Sequence, residues 1–207
     1  MKILIKFFRI KAKITSFIYK KWNKIWFHLI GVKYGKKMNV YNKVYINGWG
    51  KIIIGDNFKF TSGDGVNPIC RNIKGEFYTM TPEAQIIIGD NVGISSACIW
   101  AKESITIGND VKIGGDCIIM DTDVHPHDYL DRRDVFLVEH GRREYLKTIP
   151  SAPVVICDDV WIGARCQILK GVHIGPRTII AAGSIVTKSM PADCICGGNP
   201  CRIIKQL

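Results

Sequence analysis

No run of this chain approaches the roughly 20 consecutive apolar residues that a membrane-crossing helix needs, and its N-terminus lacks the pattern of a secretory signal. Both absences lead us to expect a cytoplasmic protein, or one held peripherally on the cytosolic face of the inner membrane. Residues 1–30 contain no acid, no proline and no glycine, yet hold 8 of the chain's net excess of 11 basic residues. The basic character is therefore local, not arrayed with aromatics along a binding face, and no nucleic-acid partner is expected. Eight cysteines in 207 residues also lack the setting of a disulfide framework, which belongs to short secreted scaffolds.

Residues 156–190 lack the periods of ordinary secondary structure, since neither 3.6 nor 2.0 describes their apolar spacing. What is present is a period of six: Ile156, Ile162, Ile168, Ile174, Ile180 and Val186, each followed four residues on by Val160, Cys166, Val172, Thr178, Ser184 and Met190. A six-residue repeat suits a parallel β-helix in which each hexad is one short face of a coil and its aliphatic residue points inward. Cys98, Cys117 and Cys166 fall on the compact position, where a free thiol serves as a small apolar filler. Upstream, IIIGDN recurs at 52–57 and 86–91. The spacing predicts inward residues Ile88, Ile94 and Trp100, a slip of one residue, then Ile107, Ile113 and Ile119. Gly55, Gly89, Gly108, Gly114, Gly163 and Gly175 follow inward residues, where corners are expected to penalise a Cβ. Residues 61–84 read as a loop or an irregular coil.

We expect one all-β domain over 35–207, preceded by a basic helical segment over 1–34. At about 100° per residue, Lys2, Lys6, Arg9, Lys13, Lys20 and Lys24 fall within an arc of roughly 60°, and most of the remaining surface is Ile, Leu, Phe and Trp. Such a helix suits an anionic membrane surface; docking on the domain or on a neighbouring subunit is the alternative.

The repeat stops after Met120 and restarts at Ile156, leaving an insertion over about 121–155. Long irregular insertions in compact scaffolds are commonly functional. This one is rich in ionisable groups, among them Asp121, Asp123, His125, His127, Arg132, Arg133, Arg142 and Arg143. His125 follows the last regular coil, with Asp121 and Asp123 near enough to compete for a ring nitrogen, as a general base for a hydroxyl would require.

The hexads, the segment DTDVHPHD, the run VWIGARCQILKGVHIGPRTIIAAGSIVTKSMPAD and the ending GGNPCRIIK together resemble the hexapeptide-repeat acyltransferases. That group includes galactoside and maltose O-acetyltransferases and the O-acetyltransferases of bacterial surface polysaccharides. The resemblance implies a left-handed parallel β-helix and direct transfer from acetyl-CoA, with no metal required and no acyl-enzyme. It makes His125 the base that takes the acceptor's proton. It places Trp161, Ala164 and Ala182 along the pantetheine arm, and Thr187, Lys188, Arg202 and Lys205 around the adenine and 3′-phosphate, with Gly197, Gly198, Asn199 and Pro200 turning Arg202 back. It also implies a homotrimer with sites between subunits.

The long insertion and the N-terminal helix depart from the compact sugar acetyltransferases, and both border the acceptor. Arg132, Arg133, Arg142 and Arg143 suit an anionic glycan, and Ser95 and Ser96 are candidates to line its cleft. The leading expectation is an O-acetyltransferase acting on a sugar hydroxyl of a surface polysaccharide or its lipid-linked precursor. Its rivals are a free-sugar or antibiotic acetyltransferase, a zinc hydrolyase built on His125, His127 and His173, and a non-enzymatic β-helical scaffold.

Overall fold

A computed structural model describes residues 2–63, 67, 69–70, 73–133 and 142–207, the side chains of 2–9, 11–12 and 142–143 excepted. Three parallel sheets form the faces of a prism, and the chain winds around them as the period of six requires. Face A stacks β1 (Lys33–Tyr34), β4 (Lys51–Ile54), β7 (Gln85–Ile88), β10 (Ser104–Ile107), β13 (Val154–Ile156) and β16 (His173–Ile174). Face B stacks β2 (Asn39–Tyr41), β5 (Lys59–Thr61), β8 (Gly93–Ser95), β11 (Lys112–Ile113), β14 (Trp161–Ile162), β17 (Ile179–Ile180) and β19 (Cys194–Gly197), with β20 (Arg202–Gln206) returning antiparallel. Face C stacks β3 (Tyr45–Gly48), β6 (Glu76–Thr79), β9 (Cys98–Ala101), β12 (Ile118–Met120), β15 (Gln167–Ile168) and β18 (Ile185–Val186). Residues 33–48 form the first coil, and β6 makes part of 61–84, read as a loop or an irregular coil, a regular strand of face C.

Aliphatic ladders fill the prism because parallel pairing sets identical hexad positions over one another. On face A, Ile54, Ile88, Ile107, Ile156 and Ile174 align in register and are at most 2% exposed. The expected inward position of Trp100 is corrected: Ile99 pairs with Ile119 and is fully buried, while Trp100 pairs with the outward Met120. The cause is a corner one residue short. Ser96 adopts a left-handed φ of 41°, its amide donates to the Thr61 carbonyl at 2.6 Å and its hydroxyl accepts from the Gly63 amide at 2.9 Å. Ala97 consequently takes the compact inward place and Cys98 turns outward, whereas Cys117 and Cys166 are buried as expected.

The corner glycines are required by close approach of coils, not by φ. A Cβ on Gly163 would sit 2.5 Å from the Ala182 amide nitrogen, and one on Gly175 2.5 Å from that of Ala192. The left-handed positions lie two residues further on, at Asn57, Asn91 and Asp110 among others, where Asn and Asp tolerate that conformation better than most residues. The Asp or Asn between the two also stitches coils together. The Asp56 amide donates to Asp90 Oδ1 at 2.6 Å, Asp90 to Asn109 at 2.8 Å and Asn109 to Asp158 at 2.6 Å.

Helix α1 (Lys2–Leu29) closes the N-terminal end of the prism. Asn23 is buried and donates to the carbonyls of Val40 (3.2 Å) and Asn42 (2.8 Å), and Phe27 joins the common core. Its opposite side carries Ile14, Phe17, Ile18, Trp22, Ile25 and Leu29, each more than half exposed. The helix therefore docks along one stripe and leaves its widest apolar surface uncovered within the chain. Among the described residues no helix is long and apolar enough to cross a membrane.

Candidate active site

The chain leaves the prism at the corner between faces C and A. Its base is an antiparallel bridge between Thr122 and Ser151, backed by the Asp123 amide donating to the Pro150 carbonyl at 3.0 Å. Lys102 on the coil below donates to the Ile149 carbonyl at 2.5 Å and to Ser151 Oγ at 3.1 Å. Beyond the base lie α2 (Tyr129–Arg133) and α3 (Arg142–Thr148). The insertion does not simply project: Tyr145, Leu146 and Ile149 fold back as a small buried cluster with Met80, against Tyr78 and Trp100 of face C. Hydrophobic burial of that trio anchors the arm on face C.

His125 stands exposed just above this base. The preceding Val124 has φ 67°, a conformation that costs a β-branched residue roughly 1–3 kcal/mol and persists only where surrounding contacts enforce it. Here the Val124 amide donates to Thr122 Oγ1 at 3.1 Å. His125 Nδ1 lies 3.2 Å from the hydroxyl of Tyr145, itself only 9% exposed. The ring is thereby held through Nδ1, and Nε2 is the nitrogen available to a substrate.

Neither expected carboxylate orients His125. Asp121 is fully buried and accepts the backbone amides of Lys102 (2.6 Å) and Glu103 (2.7 Å), so its work is to tie the corner below. Burial pushes its carboxyl up, against the downward pull of the Lys102, Glu103 and Ser104 amides. Asp123 instead engages His127 at 2.6 Å and Lys170 at 2.8 Å. Partial burial opposes its charge, but the hydrogen bonds from Lys170 and His127 outweigh that and hold the carboxyl below its ordinary value. Arg132 Nη1 donates to the carbonyls of Pro126 (2.7 Å) and His127 (2.6 Å), fixing the loop after His125, and Arg133 lies over the Tyr129 ring. The side chains of Arg142 and Arg143 lie outside the described residues. Ser96 is buried in its corner rather than in a cleft, while Ser95 faces outward on face B.

The residues expected to line the coenzyme divide between two edges. Thr187 and Lys188 follow β18 at the same C–A corner as His125, with Lys170 on the coil between. Trp161, 57% exposed, stands on face B. Ala164 and Ala182 stack at the B–C corner, where the Gly183 amide donates to the Ala164 carbonyl at 2.8 Å. Arg202 and Lys205 lie on β20, brought back by the turn through Gly198, Asn199 and Pro200 so that Arg202 pairs with Gly197. A smooth wall of small residues, an exposed indole and exposed cations fit a long, anionic coenzyme. The three histidines of the zinc alternative are not assembled within one chain: His173 lies on face A against Cys157 Sγ at 3.4 Å, and no metal-holding group of three occurs among the described residues.

Residues 153–188 match the model of the bacterial transferase hexapeptide family (six repeats), and with the three-faced coil this defines a left-handed parallel β-helix. The matched stretch, residues 153–188, is thus similar to the repeat of the hexapeptide transferases. Two sequence relatives are a 2,3,4,5-tetrahydropyridine-2,6-dicarboxylate N-acetyltransferase of Staphylococcus aureus, 54% identical over 27% of this chain and 24% of that protein, and a putative acetyltransferase of Saccharomyces cerevisiae, 44% identical over 28% and 29%. The chain thus matches only about a quarter of these relatives' lengths. A hexapeptide-repeat acetyltransferase from Vibrio cholerae superposes with TM-score 0.56 at 25% identity, covering 98% of this chain and 92% of that one. A Bacillus cereus N-acyltransferase, solved with a dTDP-linked amino sugar and coenzyme A, superposes with TM-score 0.66 over 88% of each chain; at 21% identity that likeness is one of fold.

Proposed function

We propose that the protein is an acetyl-CoA-dependent O-acetyltransferase acting on a sugar hydroxyl of a bacterial surface polysaccharide or its lipid-linked precursor. The observation that carries the reading is His125, exposed on a strained, rigid base and held through Nδ1 by the buried Tyr145. In the tautomer that donates its Nδ1 proton to the phenol oxygen, His125 presents an unprotonated Nε2 that can take the acceptor's hydroxyl proton. Bound acetyl-CoA would supply the thioester carbon that this hydroxyl attacks. The chain's own contribution is to hold donor and acceptor in line and to keep the base oriented.

The division of coenzyme-like residues between two edges of a convex prism supports a homotrimer, in which the C–A corner of one subunit meets face B of the next. Light scattering tests this, and an active monomer would remove it. The uncovered side of α1, flanked by Lys13 and Lys24, supports attachment to an anionic membrane surface, as a lipid-linked acceptor would favour. Loss of binding to anionic vesicles on Trp22→Glu would bear this out; a helix indifferent to vesicles would favour a soluble acceptor. The function itself is tested by acceptor-dependent thiol release from acetyl-CoA. His125→Ala is expected to lower it by about 100-fold to 10,000-fold, the range of a lost general base, and unchanged turnover would reject the assignment.

A further inference from the structure

Face B carries a groove of about 440 Å³ that none of the residues expected to hold the coenzyme except Trp161 enters. Its floor is made by Gly93, which lies in register between Lys59 on β5 and Lys112 on β11. The missing side chain opens the groove: a Cβ at Gly93 would fall 3.3 Å from Lys112 Cδ. Strands spaced about 4.8 Å apart put the two lysine stems about 10 Å from each other, close enough for both ammonium groups to converge on one anion. Neither lysine has a carboxylate partner among the described salt bridges. Lys112 Nζ donates once, to the Asn91 carbonyl on the rim, and Lys59 lies near the Tyr41 ring.

The remaining lining has the chemistry of sugar recognition. Thr61 donates to Ser95 Oγ at 3.0 Å, a hydroxyl pair, and Asn57 Nδ2 donates to Asn91 Oδ1 at 2.9 Å. Trp161, in register with Lys112, closes the far end with an exposed indole. We propose that this groove binds the acceptor and that the acceptor is a saccharide carrying a phosphate group. Sugar hydroxyls meet Ser95, Thr61 and the asparagine amides, the ring packs toward Trp161, and the phosphate sits over Gly93 between Lys59 and Lys112. The inference rests on the acyltransferase reading above, and it moves the anionic handle away from Arg132 and Arg133, whose guanidinium groups are already engaged.

The test is calorimetric titration of the intact protein with matched probes, glucose, galactose and N-acetylglucosamine against their 1-phosphates and their uridine-diphosphate forms. In at least one set the phosphorylated probe is expected to bind about tenfold or more tightly at low salt, as charge-assisted hydrogen bonds would give. The gap should shrink below about threefold in Lys59→Gln/Lys112→Gln and in high salt. Gly93→Val, which fills the floor without changing charge, should weaken both members of that set. A 1-phosphate that binds as well as its nucleotide form marks a bare sugar phosphate as sufficient; preference for the diphosphate marks a longer anionic carrier. Equal binding of charged and neutral probes in every set, or a gap that survives the double substitution, overturns the proposal. Thiol release from acetyl-CoA is scored separately, so a failed acyltransferase reading is distinguishable from a failed phosphate site.

Discussion

Replacing Tyr145 by Phe removes one oxygen atom and separates the orientation of His125 from the anchoring of the arm. The ring would still fill the cluster of Met80, Leu146 and Ile149, so the fold is expected to lose less than about 1 kcal/mol. The bond to His125 Nδ1 is lost outright. At 3.2 Å it lies at the long end for an N–H···O bond, and a net value of about 1 kcal/mol for such a contact corresponds to about a fivefold fall in kcat. KM for acetyl-CoA should stay within about twofold, because Tyr145 touches no residue assigned to the coenzyme. The decisive readout is the ¹⁵N spectrum of labelled His125. The wild-type ring should sit in the Nδ1–H tautomer, and the variant should become a tautomer mixture. Turnover and tautomer both unchanged in Tyr145→Phe would refute the reasoning, whereas Tyr145→Ala alone could not, since it also opens a cavity beneath the arm.

Trp161→Ala should raise KM for acetyl-CoA by about tenfold, the value of one good apolar contact, while thermal stability holds, since the indole is 57% exposed. Arg202→Ala should narrow the preference for coenzyme A over its 3′-dephospho form by about tenfold, measured as a ratio of competition constants. Asp123→Asn tests the corner electrostatics. A carboxyl held low in the folded state stabilises above its unfolded value near 3.9 and loses that contribution as pH falls through the folded one. Wild type should therefore exceed the variant by up to about 1 kcal/mol at pH 7, a figure discounted for solvent exposure, and in denaturant melts the gap should close as pH falls through the folded value. Gly163→Ala should destabilise by about 1–3 kcal/mol, because the new Cβ meets backbone at 2.5 Å, which cannot swing aside.

The rod could be read from sequence because its determinants are local and repeated. Every hexad states its own inward residue, and parallel pairing adds the same statement coil after coil, so Ile156, Ile162, Ile168 and Ile174 were readable without any long-range information. The reading failed where a coil changes length. Counting six from Ile94 reaches Trp100, but Ser96 shortens the corner through contacts to Thr61 and Gly63 some thirty residues away, which no spacing rule contains. The same limit explains the site. His125 was visible from its place at the end of the regular coils, yet the nearest carboxylates in sequence proved to be committed elsewhere, to backbone amides at Asp121 and to Lys170 and His127 at Asp123.

Tyr145, twenty residues downstream, reaches His125 only because the arm folds back. The available signal was apolar: Tyr145, Leu146 and Ile149 follow the charged run Arg142, Arg143 and Glu144 as a short apolar stripe, and a stripe that docks on the prism can carry a side chain to the histidine. Lys59 and Lys112 were hidden for a related reason. They are 53 residues apart in sequence and become neighbours across Gly93 only through the stacking of coils. A β-helix thus makes its scaffold readable hexad by hexad while assembling its chemistry from positions one or two coils apart. The stacking register, once known, converts the sequence into columns, and it is down the column Lys59, Gly93, Lys112, Trp161 that the acceptor groove can be read.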